Sequence, residues 1–224
     1  MPQKNSVKIY YENGIYHVYN RGVEKRDIFL DRDDYLTFLH ILKTALMPPE
    51  IPQFIEKASQ RLLQGSTLKW TVERLRKNFY GKIDLFCYNL MPNHYHFLLK
   101  QIQKTSITEF IHSLSTTYCM YFNKKHERVG PLFQGIFKAV DVAEDNYLIW
   151  LSRYIHRNHN DFQNYQYSSY ADYLGQRNTP WINKKFILDY FESHLKSHEK
   201  NYQTFVETEK EEPIDIGNLY LETE

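Results

Sequence analysis

The chain has 224 residues, 42% hydrophobic and 25% charged, enough for one well-buried core with small additions but not for two full domains. It holds no apolar run of leader type at its start and none long enough to span a membrane, so no membrane is expected and the expected setting is the cytoplasm. The net charge of +1 hides an uneven division: seven acids and one base lie from Glu207 onward, against 27 basic and 20 acidic side chains before it, a net of +7. Such a body is compatible with a polyanionic partner without demanding one.

Gly14 to Arg21 (GIYHVYNR) alternates and is rich in Tyr, Val and Ile, which predicts a strand. Asp33 and Asp34 open a helix whose apolar face is Tyr35, Phe38, Leu39, Leu42, Ala45 and Leu46, stopped by Pro48 and Pro49. Residues 50–80 read as an inserted helical pair, divided at Gly65 and capped again by Ser66. Lys82 to Leu90 and His94 to Gln101 form a hairpin across the turn Met91-Pro92-Asn93. Ser106 and Glu109 are spaced as a capping box for a long helix with the stripe Ile107, Phe110, Ile111, Leu114, Tyr118, Tyr121 and Phe122. After a basic turn, Leu132 to Val142 is a fourth strand and Glu144 to about Asn158 a further helix. The first six elements give an α+β, ferredoxin-like (split βαβ) antiparallel sheet with helices on one face; the last helix is an addition to it. Beyond Tyr165 the reading is a loop, an aromatic-bearing helix near Lys184 to Lys196, and an acidic, disordered end. The expected domains are 1–175, a helical extension over 176–205 and a tail over 206–224.

Cys87 and Cys119 lie far apart, without metal-ligand spacing, and read as free thiols of a reducing compartment. His94 and His96 are more informative. Strand alternation puts them on one face, about 6–7 Å apart at the backbone, a spacing suited to two imidazoles on one metal ion. On the last helix Tyr154 and Asn158 stand four apart, hence on one face, where they could supply a nucleophile and a further oxygen ligand.

The strings YHVYNRG (Tyr16 to Gly22), MPNHYHFLL (Met91 to Leu99), YFNKKHERVGPLFQG (Tyr121 to Gly135), FKAV (Phe137 to Val140), DNYLIWLSRYIHRN (Asp145 to Asn158) and YSSYADYLG (Tyr167 to Gly175) resemble, in order, the REP-associated tyrosine transposases of the HUH single-tyrosine family. The resemblance runs from about residue 14 to 175. It implies a metal site at His94, His96 and Asn158, with Mg²⁺ or Mn²⁺ as the ion, and a nucleophile at Tyr154 that cuts and rejoins single-stranded, hairpin-forming DNA through a 5′-phosphotyrosine. The ligand types alone would also admit Zn²⁺. Relatives include dimers, in which one subunit's tyrosine helix serves the other's histidines, and monomers, so a homodimer is admitted. Departures from the family pattern are Tyr95 between the histidines, Ile136 where Arg is common, and His159 after Asn158. Arg21, Lys124, Lys125, Arg128, Lys138, Arg153 and Arg157 are the candidate DNA contacts, about half of which are expected to touch DNA. Two other readings stand beside the enzyme: a binder of DNA or RNA hairpins that has lost catalysis, and a replication or conjugation initiator, for whose usual helicase the chain is too short.

Overall fold

The computed structural model describes residues 10–49, 77–191 and 198–208. Four strands, β1 (Ile15–Arg21), β2 (Ile83–Met91), β3 (His94–Gln101) and β4 (Lys138–Asp141), form one antiparallel sheet in the order β2-β3-β1-β4. This is the ferredoxin-like arrangement, with β1 and β3 central. Helices α1 (Arg32–Leu46) and α2 (Ser106–Lys125) cover one face. The expected stripe of α2 is buried throughout, and that of α1 is buried except for the partly exposed Leu39. Helix α3 (Asp145–Arg157) packs on the opposite face through Leu148, Leu151 and Ile155. The later described helices lie there too: α4 (Tyr170–Tyr173) and, from the C-terminal extension, α5 (Lys185–Leu188) with a 3₁₀ turn over Asp189–Phe191, and α6 (His198–Glu207). The sheet is therefore covered on both sides, one by the core helices and the other by the added ones.

Several ends differ from the sequence expectations, each for a local reason. Asp33 and Asp34 stand in the first turn of α1 as expected, and the cap before them is Asp31, its carboxylate accepting from Asp34 N. The capping box at Ser106 and Glu109 does not form. Thr105 is the N-cap and makes no side-chain cap bond, while the buried Gln101 side chain reaches across to accept from Ile107 N. The fourth strand is four residues long instead of eleven. Gly135 adopts φ +73°, which breaks the extended run, and Leu132 and Phe133 enter the core from a loop. The inserted pair falls within residues 50–76, outside the described residues. At its described end, Lys77 to Phe79 are not helical; Asn78 Nδ2 donates to Thr44 O and Met47 O, so it satisfies the last turn of α1. The expected helix at Lys184 to Lys196 is described only as α5 and its 3₁₀ turn. The start of the expected tail is ordered, because α6 runs to Glu207.

Strand β2 carries an irregularity that sets its faces. Ile83 and Leu85 look to the α1/α2 layer, Phe86 and Cys87 both look to the α3 layer, and Tyr88 and Leu90 look back. The register slips between Leu85 and Cys87, so Phe86 is the extra residue of a β-bulge. At the other end of the sheet, the β2–β3 turn is gripped by the chain that follows β1. Gly22 N donates to Asn93 O, and Ile28 N and Phe29 N to Pro92 O. Only glycine fits at position 22, since an added Cβ would stand 2.1 Å from Arg26 O. That grip fixes the point at which His94 begins.

Candidate active site

On the α3 side of the sheet the register aligns Lys138, Tyr19, His96 and Asn89 in one row across all four strands. Arg21 and His94 lie one row toward the turn, His17 and Leu98 one row the other way. The two expected ligands therefore share a face, their rings 4.9 Å apart and nearly perpendicular. His96 is fully buried and His94 partly so. Burial holds both imidazoles below their ordinary pKa; neighbouring His17 and His94 add to this at His96, and Arg21 at His94, where Asn158 partly opposes it. Neutral rings keep the lone pair that a metal needs.

The bonds around His94 show which nitrogen is available. Asn93 Nδ2 donates to Lys25 O, which turns its Oδ1 toward His94 Nδ1 at 2.6 Å. That ring nitrogen must then donate, leaving a lone pair on Nε2. The atom facing Nε2, at 3.2 Å, is Asn158 Oδ1, itself an acceptor. With the amide placed this way two acceptors face each other, and a cation between them would satisfy both; with the amide turned over, its NH₂ would donate to Nε2 instead. Nitrogen and neutral oxygen donors of this kind fit a divalent ion.

Helix α3 brings the tyrosine to the same place. Tyr154 is half-buried, with its ring 5.8 Å from that of His96 and 6.4 Å from that of His17, edge-on to both. Asn158, one turn later, is the helix C-cap. The helix is pinned from the sheet by Asn89, whose Nδ2 donates to Ile155 O at 2.7 Å. It is pinned from behind by His156, fully buried between Tyr202 Oη and Ser169 Oγ, each 2.7 Å away.

The candidate phosphate contacts divide into three groups. Arg21 and Lys138 line an open cleft with Tyr19, Asn93, His94 and the exposed Ile136. Lys138 Nζ sits 5.5 Å over the Tyr19 ring, and Arg21 donates to Gln134 Oε1. Lys124, Lys125 and Arg128 lie at the end of α2 and in the turn beyond it, on the far layer. Lys124 is exposed, whereas Lys125 bridges Asp31 and Asp34 at 2.6 and 2.9 Å and Arg128 bonds Asn123. Arg153 and Arg157 are engaged within the fold. Arg153 is buried and donates to Phe205 O and Thr208 O, and the partly exposed Arg157 donates to Val206 O. Both guanidinium groups meet carbonyls at the C-terminal end of α6 and so clamp α3 to it.

Two features escaped sequence reasoning. His17 joins the site from β1, its Nε2 2.8 Å from His96 Nδ1; the alternation of YHVYNR put it on a definite face, but only the register shows that this face is that of His96. His156 looked like one more polar residue of α3, and its partners lie 13 and 46 residues away. Asp31, Asp34 and His126 also gather metal-ligand atoms. The Lys125 ammonium already occupies that cluster, Asp31 caps α1 and Asp34 accepts from Leu30 N, so it reads as an ion-pair network.

A ferredoxin-like sheet with a histidine pair on a central strand, faced by a tyrosine helix added after the fourth strand, is the architecture that the sequence resemblance implied. Residues 54–158 match the family described as IS200-like transposases, a stretch that contains His94, His96 and Tyr154 and ends on Asn158. A solved structure titled as the REP-associated tyrosine transposase bound to a REP hairpin shares the fold at a TM-score of 0.53 and 10% identity, covering 80% of this chain and 90% of its own. No curated protein matches the chain. The chain is thus similar in sequence to the IS200-like transposases and in fold to the REP-associated one. Among the described residues no helix is long and apolar enough to cross a membrane.

Proposed function

We propose that the chain is a metal-dependent transposase that nicks and rejoins single-stranded, hairpin-forming DNA through a covalent 5′-phosphotyrosine. The observation that carries this reading is the approach of Tyr154 to His96, with His94 and Asn158 turned toward each other beside it. His94, His96 and Asn158 would hold the ion, Mg²⁺ or Mn²⁺ by the family resemblance. When bound, such an ion supplies positive charge to a non-bridging phosphate oxygen as the transition state builds.

The chain's own groups do the remainder. Tyr154 gives up its phenol proton as its oxygen attacks phosphorus, the bond from phosphorus to the 3′ oxygen breaks, and that oxygen takes up a proton to leave as a 3′-hydroxyl, so the step is proton-neutral overall. The phosphodiester energy stays in the tyrosyl ester, so a 3′-hydroxyl reverses the step and rejoins strands without a nucleotide cofactor. Asn89 and His156 hold the helix that carries the nucleophile. Arg21 and Lys138 flank the cleft beside His94, where they offer charge to the backbone.

The test uses a 3′-labelled hairpin oligonucleotide with Mg²⁺. The wild-type chain should give a denaturation-resistant protein–DNA band that EDTA prevents, and Tyr154→Phe should bind the hairpin with no such band. A persistent band in Tyr154→Phe would remove that residue from the role. Hairpin binding by the wild type with neither band nor cleavage would favour the binding-only reading.

A further inference from the structure

His17 is the third imidazole of the site, and nothing in the mechanism above employs it. It lies on β1, fully buried, one row from His96. Its Nε2 is 2.8 Å from His96 Nδ1, the rings are 11° from parallel, and their centroids are 5.0 Å apart. That separation is nearly the nitrogen–nitrogen distance plus one ring radius on each side. The rings therefore lie end to end, close to one plane, with the shared bond along the line between them. His17 Nδ1, at its far side, is buried without a hydrogen-bond partner. A buried polar atom left so is destabilising, so packing alone is a poor reason for a histidine here.

The end-to-end geometry excludes Nε2 of His17 as a co-ligand of the same ion, because its lone pair or proton points at His96 Nδ1. It suits another task. We infer that His17 is a positioning residue that accepts the Nδ1 proton of His96, fixing the tautomer that leaves Nε2 of His96 with the lone pair. Asn93 does the same for His94 through its carbonyl oxygen. Both ligands are thereby oriented by a neighbour at Nδ1 and offered through Nε2, each from a different structural source: the hairpin turn for one, the adjacent central strand for the other. Outer partners of this kind typically change metal affinity about 10–100-fold when removed. The inference rests on the metal reading of His94, His96 and Asn158, although the tautomer itself can be read without any ion.

Long-range ¹H–¹⁵N spectra of the metal-free full chain, near neutral pH, should show His96 protonated on Nδ1 in the wild type. In His17→Phe, which keeps an aromatic ring in the space but has no acceptor, that single form should be lost. Titration with Mn²⁺ should show affinity at least tenfold weaker in His17→Phe. His17→Gln, whose amide oxygen can stand where Nε2 stands, should recover to within about threefold. Hairpin binding and the urea midpoints show whether each variant is folded. His96 protonated on Nε2 in the wild type overturns the inference, as does Mn²⁺ affinity in folded His17→Phe equal to that of the wild type. A wild type with His96 in the expected form, changed by His17→Phe, that binds no Mn²⁺ supports the orientation of His96 by His17 and sinks the metal reading instead.

Discussion

Asn158 illustrates how much a single side chain carries here. As the residue that ends α3 it is positioned by helix geometry, and its amide oxygen lies 3.2 Å from His94 Nε2. Asn158→Ala removes one oxygen donor and leaves both imidazoles. Cleavage should then need about 10–100-fold more Mg²⁺ or Mn²⁺, with hairpin affinity unchanged; a metal-dependence curve that overlays the wild type would exclude Asn158 as a ligand. The histidine pair was legible at this scale because strand alternation is a strict rule, and the pair of Tyr154 and Asn158 because a helix turn is equally strict. His17 was not legible as part of the site, since its contact with His96 depends on which strand lies next to which and in what register. The clamping of Arg153 and Arg157 was not legible for a related reason: charge is visible in a sequence, but the α6 carbonyls they meet are some fifty residues distant.

Helix α3 is held between the sheet and the C-terminal extension, and buried polar groups do much of the holding. His156 is kept neutral, its pKa lowered by burial to about 3. Below the ordinary histidine value of about 6.5 the unfolded chain takes up a proton that the folded chain refuses until near pH 3. Stability contributed by the neutral ring is therefore complete above pH 6.5 and declines as acid is added, by up to ~1.4 kcal/mol per pH unit for each such histidine. His17, also lowered to about 3 by burial, acts in the same direction. Urea midpoints measured from pH 7 to 5, above the range in which ordinary carboxylates titrate, should fall steadily, and His156→Gln should flatten the slope. Midpoints constant over that interval would show that these rings are not buried neutral. Among the elements, the stripes of α1 and α2 were read correctly because their apolar spacing is unambiguous. The capping of α2 and the short β4 were not, since Gln101 acts across a loop and the left-handed Gly135 cuts an otherwise strand-like run.

Across the whole molecule the extension on the α3 side has a clear mechanical duty. The C-terminal carbonyls of α6 accept from Arg153 and Arg157, and Tyr202 of α6 reaches His156. Arg153→Ala should lower stability by about 2–3 kcal/mol, for it opens a buried space and strands two carbonyls. In the folded variant, cleavage should fall by more than hairpin binding, because the nucleophile's helix loses its rear support while the cleft lined by Arg21 and Lys138 is untouched. Equal losses of binding and cleavage would point instead to direct contact between Arg153 and DNA. The likeness to IS200-like transposases was open to sequence reading because its strings keep their order along the chain. The two-sided covering of the sheet was not, for no local pattern states on which side a later helix will settle.

The bulge at Phe86 explains how that second side came to be available. Counting outward from either end of β2 with strict alternation arrives at the wrong side by the other end, because one residue resets the count. Through that reset, Ile83 and Leu85 serve the same layer as Tyr88 and Leu90, while two successive side chains, Phe86 and Cys87, are delivered to the newer layer. There Phe86 stacks on Phe186 at 4.5 Å, and its carbonyl receives the Tyr173 hydroxyl. A single surplus residue thus gives the C-terminal segments a foothold on the sheet without disturbing the parity that keeps Asn89 level with His96.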